Sequence, residues 1–186
     1  MAEPRVASYG SWRSPITSDL IVSGTISLGQ IALDGEDVYW IESRPADGGR
    51  CVIVRRTPDG RTVDVTPAPF NARTRVHEYG GGAYAVTGGT VFFASFADQR
   101  LYRQPAGALP EPLTPAVDLR YADGVIDRTR RRLICVREDH TVAGREAVNT
   151  IVGVGRQSDA AGQAGAVGAE PRRSIEIVAR DKHLAR

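Results

Sequence analysis

Residues Ile31–Thr66 read IALDGEDVYWIESRPADGGRCVIVRRTPDGRTVDVT, and four short segments stand out within them. IAL, DVYWIES, RCVIVRR and RTVDVT are apolar or alternating, and DGED, RPADGG and TPDG separate them. Asp-Gly and Pro-Asp-Gly supply the left-handed or preset φ that tight turns need, so a run punctuated in this way folds as an antiparallel meander. The 3.6-residue apolar spacing of a helix is nearly absent.

The same order returns twice. Ala83–Thr114, AYAVTGGTVFFASFADQRLYRQPAGALPEPLT, gives strand, Gly-Gly turn, strand, turn, strand and a Pro/Gly loop before a short last segment. A third copy starts at DLRYADGVIDRTRRRLICVREDH and continues through EAVNTIVGV, ending at Val154. Aligning the second strands puts Val38, Val91 and Leu133 in register, 53 and 42 residues apart, the first interval carrying the extra PAPFNARTRVHEYGGG. A period of about 40 to 50 residues with four strands per unit is the mark of a β-propeller. A β-sandwich of similar strands is the competing architecture, but it does not require the block to repeat. The sequence therefore predicts an all-β chain: a partial β-propeller of about three four-stranded antiparallel blades with a poorly ordered carboxy-terminal tail. The expected divisions are an extended amino-terminal segment over 1–30 and blades over about 31–66, 82–115 and 119–154. The tail spans 155–186, where GRQSDAAGQAGAVGAEP is too poor in large apolar side chains to offset its ordering entropy. Within that tail SIEIVAR is readable as a short strand or helix.

Composition narrows the function. At 186 residues and 41% hydrophobic the chain is long enough to bury a core. Its net charge of +2 is spread along the sequence, so neither a nucleic-acid stripe nor a membrane-binding basic face is expected. The densest basic run, Arg128–Arg132, reads as a solvated turn. Lysine occurs once, at Lys182, among 24 basic residues, a bias that GC-rich coding explains. No secretory signal or apolar run of membrane-spanning length is visible, and a cytoplasmic compartment is expected. Cys51 and Cys135 sit far apart in strand-like runs, as small buried thiols do.

Arg75–Tyr84, RVHEYGGGAY, is the one stretch that suggests chemistry. It is not a zincin motif, because Gly81 stands where H-E-x-x-H needs its second histidine, and no metal site is expected. No Gly-Lys-Ser/Thr follows, so it is not a phosphate loop, and no cofactor is implied. The glycines precede a strand, which excludes a dinucleotide fingerprint. No G-x-S-x-G pentapeptide occurs, and no residue is assigned as catalytic. The positive reading is conformational: Gly80, Gly81 and Gly82 permit positive φ or close approach where an inter-blade loop turns into an innermost strand. Arg75, His77, Glu78 and Tyr79 would then lie at the mouth of a central channel and contact substrate. Two readings of Glu78 stay open: a salt bridge to Arg73 or Arg75, and a carboxylate that meets a peptide's amino terminus.

At these residues the sequence resembles a known family. YGSWRSPITSDLI from Tyr9, VYWIESRPADGGRCVIVRR from Val38 and RTRVHEYGGGAY from Arg73 together are similar to the amino-terminal β-propeller of bacterial prolyl oligopeptidase family serine peptidases, in the group called dipeptidyl aminopeptidase or acylaminoacyl-peptidase-like. The resemblance covers residues 9–154. It implies a propeller that filters peptide substrates and a separate α/β-hydrolase domain with a Ser-Asp-His triad. That domain has no counterpart in these residues, and the switch at Gly155 reads as a truncated or frameshifted product, inactive by itself. An open arc would also expose edge strands to self-association. The alternative is a stand-alone β-propeller-like module that binds proteins or peptides.

Overall fold

The structure is a computed structural model and describes residues 6–11, 13–22, 24–156 and 173–180. One helical turn, α1 (Ser18–Val22), comes first, its start fixed by Thr17, whose hydroxyl accepts the Leu20 amide at 3.1 Å. Three four-stranded antiparallel sheets follow. The first contains β1 (Ser27–Asp34), β2 (Asp37–Arg44), β3 (Arg50–Arg56) and β4 (Thr62–Asp64) in that spatial order. The second contains β5 (Tyr84–Thr87), β6 (Thr90–Ala94), β7 (Leu101–Gln104) and β8 (Glu111–Pro112). The third runs β9 (Leu119–Asp127), β10 (Arg132–Asp139), β11 (Val148–Arg156) and β12 (Arg173–Arg180). The first strand of each sheet packs against the first strand of the next, β1 on β5 and β5 on β9. This is a partial propeller of three blades, with inner strands side by side and progressively outer strands in each meander.

Each blade's second strand carries the burial pattern that makes a propeller rather than a sandwich. Val38, Val91 and Leu133 are each the second residue of their strands, so the sequence register is the structural one. In the middle blade, Phe93 and Val91 face the first blade and pack with Tyr39, Ile41 and Ile53. Its neighbour Phe92 points the other way, against the cluster of Leu101, Tyr121, Leu133 and Cys135 shared with the third blade. A sandwich sheet would keep one of these faces in water. Phe93 and Tyr121 are fully buried, and the Phe93 ring is worth about 1.5–3 kcal/mol by removal from water.

The long connection from β4 to β5 is not slack. Phe70 sets its ring edge-on to Phe93 at 6.0 Å and to Tyr102 at 5.1 Å, which seals the first blade junction. Asn71 accepts the Cys51 amide on its side chain, the Ala72 amide donates to Cys51 O, and the Arg73 amide donates to Ala94 O. The segment thereby stitches blade one to blade two, which accounts for the 53-residue first interval. Asp34 adds a second stitch: its carboxylate accepts the Gly88 and Gly89 amides at 3.0 and 2.6 Å across the junction.

Two divisions fall elsewhere than expected. The first blade begins at Ser27, inside the segment read as amino-terminal extension. The third gains its outer strand from Arg173–Arg180, within the segment read as tail; SIEIVAR is a strand, paired antiparallel with β11. The rest of that tail, from residue 157 to 172 and from 181 on, lies outside the described residues. At the ends of the arc, apolar faces stand open: Ile31 and Leu33 are 76% and 71% exposed on the first blade, Val125 and Ile151 65% and 43% on the third. Cys135 is buried, and burial pushes its thiol up to about 12, an unreactive state. Among the described residues no helix is long and apolar enough to cross a membrane.

Candidate functional site

The HEYGGG loop is assembled by alternation, then by a left-handed turn, then by a clasp. From Ala72 the chain is extended: Ala72, Thr74 and Val76 are buried while Arg73, Arg75 and His77 point to solvent. His77 and Glu78 then take φ of +54° and +65°, and Gly80 takes +91°. Left-handed backbone at two consecutive residues bearing side chains costs on the order of 1 kcal/mol or more each, so surrounding contacts must enforce it. The Glu78 amide donates to Arg75 O at 3.0 Å and the Gly80 amide to Val76 O at 2.9 Å, which closes the turn.

Gly81 and Gly82 are glycine for a different reason from Gly80. Neither has a left-handed φ; each is pressed against the inner strand of the third blade. A Cβ on Gly81 would lie 3.0 Å from Asp123 Oδ2 and 3.1 Å from Ala122 Cβ, and one on Gly82 would lie 3.0 Å from Asp123 Oδ1. Into that space the Gly82 amide donates to Asp123 Oδ1 at 2.6 Å, and the Asp123 amide donates to Gly82 O at 2.8 Å. From the first blade, Gln30 holds the same strip: its Nε2 donates to Gly81 O at 3.2 Å and its Oε1 accepts the Ala83 amide at 2.7 Å. Tyr84 adds a hydroxyl bond to Gln30 O at 2.6 Å, and burial raises its phenol well above the ordinary range.

Gln30 and Asp123 are the same residue of the repeat. Each lies four positions before the aspartate that ends its inner strand, in QIALD and DGVID, and each sits in a strand irregularity with φ of +51° or +57°. The corresponding position of the middle blade is Ala83, at the end of the glycine run. The loop is thus gripped from both sides by equivalent residues of the flanking blades.

A third anchor is Glu138 of β10, which is 5% exposed. Its Oε1 accepts the His77 amide at 3.0 Å, and His140 Nε2 lies 2.8 Å from Oε2. Arg120 stands 3.7 Å from the same carboxylate and also donates to Arg75 O at 3.2 Å. Burial alone would raise the Glu138 carboxyl, but His140, the His77 amide and Arg120 outweigh it and hold the group below its usual value. On the near side, the Arg75 amide donates to Gln99 Oε1 at 2.7 Å.

These contacts distribute the candidate residues unevenly. His77 lies against Glu138, its Nδ1 3.6 Å from the carboxylate. Arg75 turns back over the Phe96 ring, 4.4 Å from its centroid. Glu78 is exposed, and no ion pair joins it to Arg73 or Arg75; the salt bridge weighed from the sequence does not form, because both arginines lie on Phe96 instead. Tyr79 projects with 93% of its surface exposed. Sequence reasoning missed Gln30, Asp123, Glu138 and Gln99. The matched offsets in QIALD and DGVID were a signal for the first two; nothing local marks Glu138 or Gln99. Among the described residues no group of histidine, cysteine and carboxylate side chains is placed to hold a metal ion.

No family model and no curated protein matches the chain. Solved structures do. A puromycin hydrolase is 34% identical over 95% of this chain with a TM-score of 0.75, and a puromycin-hydrolyzing peptidase of Mycobacterium tuberculosis is 33% identical over 96%, also at 0.75. A serine-to-alanine mutant of puromycin hydrolase complexed with PGG is 38% identical over 80%, at 0.70. This chain spans 28%, 28% and 25% of those three, so it corresponds to a little over a quarter of such a protein. At identities above 30% across nearly all of its length, the chain is similar to about a quarter of these peptidases of the prolyl oligopeptidase family, and its three blades match that part of their structure.

Proposed function

We propose that this chain is the substrate-gating propeller portion of a serine peptidase, and that its HEYGGG loop is the surface presented to the peptide, with Glu78 receiving the free amino terminus. The observation that carries the reading is the loop itself. The two flanking blades fix its backbone through Gln30, Asp123 and Glu138, yet Glu78 and Tyr79 at its tip make no ion pair among the described residues and face solvent. Rigid support under an exposed carboxylate and an exposed aromatic ring is the arrangement of a recognition surface rather than of a packing loop. Puromycin, the compound named for the similar structures, is an aminoacyl amide with a free amino group, which a carboxylate complements.

Bond cleavage is assigned to the hydrolase domain that the family resemblance implies, not to these residues. Two measurements test this on the 186-residue chain. A fluorophosphonate probe should leave it unlabelled; stoichiometric labelling would overturn the division of labour. Triglycine should bind more tightly than N-acetyltriglycine, and Glu78→Gln should erase that difference. Equal binding of the two peptides to the unaltered chain would remove Glu78 from the proposal.

A further inference from the structure

We propose that Arg73 and Arg75, held against Phe96, form a carboxylate subsite beside the HEYGGG loop that reads the free carboxy terminus of a short peptide; this rests on the reading that the loop faces peptide ligands. The two guanidinium carbons lie 5.0 and 4.4 Å from the centroid of one ring. Ring contact orients guanidinium planes and leaves their edge N–H groups free for a forked bond to a carboxylate.

The backbone under these side chains is fixed. The Arg73 amide donates to Ala94 O at 3.1 Å. Gln99, 8% exposed, accepts the Arg75 amide on Oε1 and donates from Nε2 to Phe96 O at 2.9 Å, so one buried side chain joins the arginine to its stacking partner. Arg120 then holds Arg75 O from the third blade.

Charge makes the arrangement informative. Arg44, Arg50, Arg55, Arg120, Arg130, Arg132 and Arg137 each have a carboxylate within salt-bridge distance. Arg73 and Arg75 have none among the described residues, as is also true of Arg56, Arg61, Arg100 and Arg103; what sets the pair apart is that both guanidinium groups lie on the one Phe96 ring. Asp98 accepts the Tyr102 hydroxyl at 2.6 Å and Glu138 serves His77 and His140, while Glu78, three residues beyond Arg75, pairs with neither arginine. Two oriented cations without a counter-ion define a site for an anion, and the planar fork favours a carboxylate. Glu78 lies three residues further along the same loop. A short peptide with both termini free then meets opposite charges at its two ends.

The test is a titration of the isotopically labelled 186-residue chain, followed by NMR at the arginine Nε–H signals. Triglycine, triglycine amide, N-acetyltriglycine and sodium acetate are the probes. Triglycine should shift the Arg73 and Arg75 signals and bind at least tenfold more tightly than its amide. The R73Q/R75Q double variant should equalise acid and amide without moving the melting temperature, and F96L should narrow the gap. Equal binding of acid and amide overturns the proposal, as does acid preference surviving in R73Q/R75Q or an absence of triglycine binding. Matching shifts with acetate at the same concentration mean an adventitious ion only and overturn it too. Acetylation and amidation separate the two ideas: loss on acetylation alone retains Glu78 and removes the arginine subsite, whereas loss on amidation alone does the reverse.

Discussion

Placing one methyl group on Gly82 tests how the blades are joined. The new Cβ would stand 3.0 Å from Asp123 Oδ1, so the carboxylate must retreat by about 0.4 Å to reach ordinary contact. That retreat weakens the 2.6 Å bond from the Gly82 amide and strains the return bond from the Asp123 amide at 2.8 Å. Overpacking of this kind costs about 1–3 kcal/mol, which corresponds to a melting-temperature drop of roughly 2–12 °C for a chain of this size. Gly29 is the ideal control: it holds the equivalent position in β1 and a Cβ there meets nothing within 4 Å. Gly29→Ala should be neutral or stabilise slightly by restricting the unfolded chain. A double-mutant cycle assigns the cause. In an Asp123→Gly background the obstacle is gone, and Gly82→Ala should lose most of its penalty, a coupling of about 0.5–3 kcal/mol. The assay is urea unfolding followed by circular dichroism. Equal penalties in both backgrounds, or a Gly29→Ala penalty as large as that of Gly82→Ala, would refute the clasp.

Further outcomes follow from the same contacts. Glu138→Gln should destabilise the chain by about 1–3 kcal/mol at pH 7, where the carboxylate is ionised and bonded. Because the folded-state value of Glu138 is depressed, its contribution is complete above the unfolded glutamate value and fades as pH falls through the depressed one. The difference between wild type and variant should therefore shrink as pH falls below the ordinary glutamate range in urea titrations, and a pH-independent difference would contradict the assignment. Phe93→Ala empties the fully buried centre of the first junction and should cost about 3–5 kcal/mol by the same assay, more than Phe92→Ala at its half-buried neighbour. Ile31→Gln with Val125→Gln should raise the concentration at which the chain stays monodisperse in light scattering while leaving its melting temperature within a degree or two, since both side chains are mostly exposed.

What the sequence disclosed was local, and what it concealed was distant. Asp34-Gly35 and Gly88-Gly89 announce turns through backbone conformation alone, so strand order and blade period are readable without knowing the neighbours. Burial on both faces is likewise written into Phe92-Phe93. The clasp is not, because Gln30 and Ala83 are 53 residues apart and Gly82 and Asp123 are 41 apart. Positive φ was the obvious use for three glycines, yet only Gly80 uses it; the other two answer to Asp123 and Ala122, which no local pattern names. Glu78 invited a salt bridge with the arginines that precede it, but alternation sends Arg73 and Arg75 to an aromatic ring on another strand connection. The strand Arg173–Arg180 was readable in SIEIVAR as a short strand or helix, but nothing in its Ala/Gly-rich surroundings told that it pairs with β11 as the outer strand of the third blade.

Hydrogen exchange at the Gly82 and Ala83 amides probes the central claim most directly. Both precede β5 and have no strand partner, so an ordinary loop would leave them to exchange at nearly free rates. With Asp123 and Gln30 gripping them from the flanking blades, they should be protected to the level of β5 and β9, and Asp123→Ala should release Gly82 selectively. Free exchange at both amides while the inner strands stay protected would contradict the account.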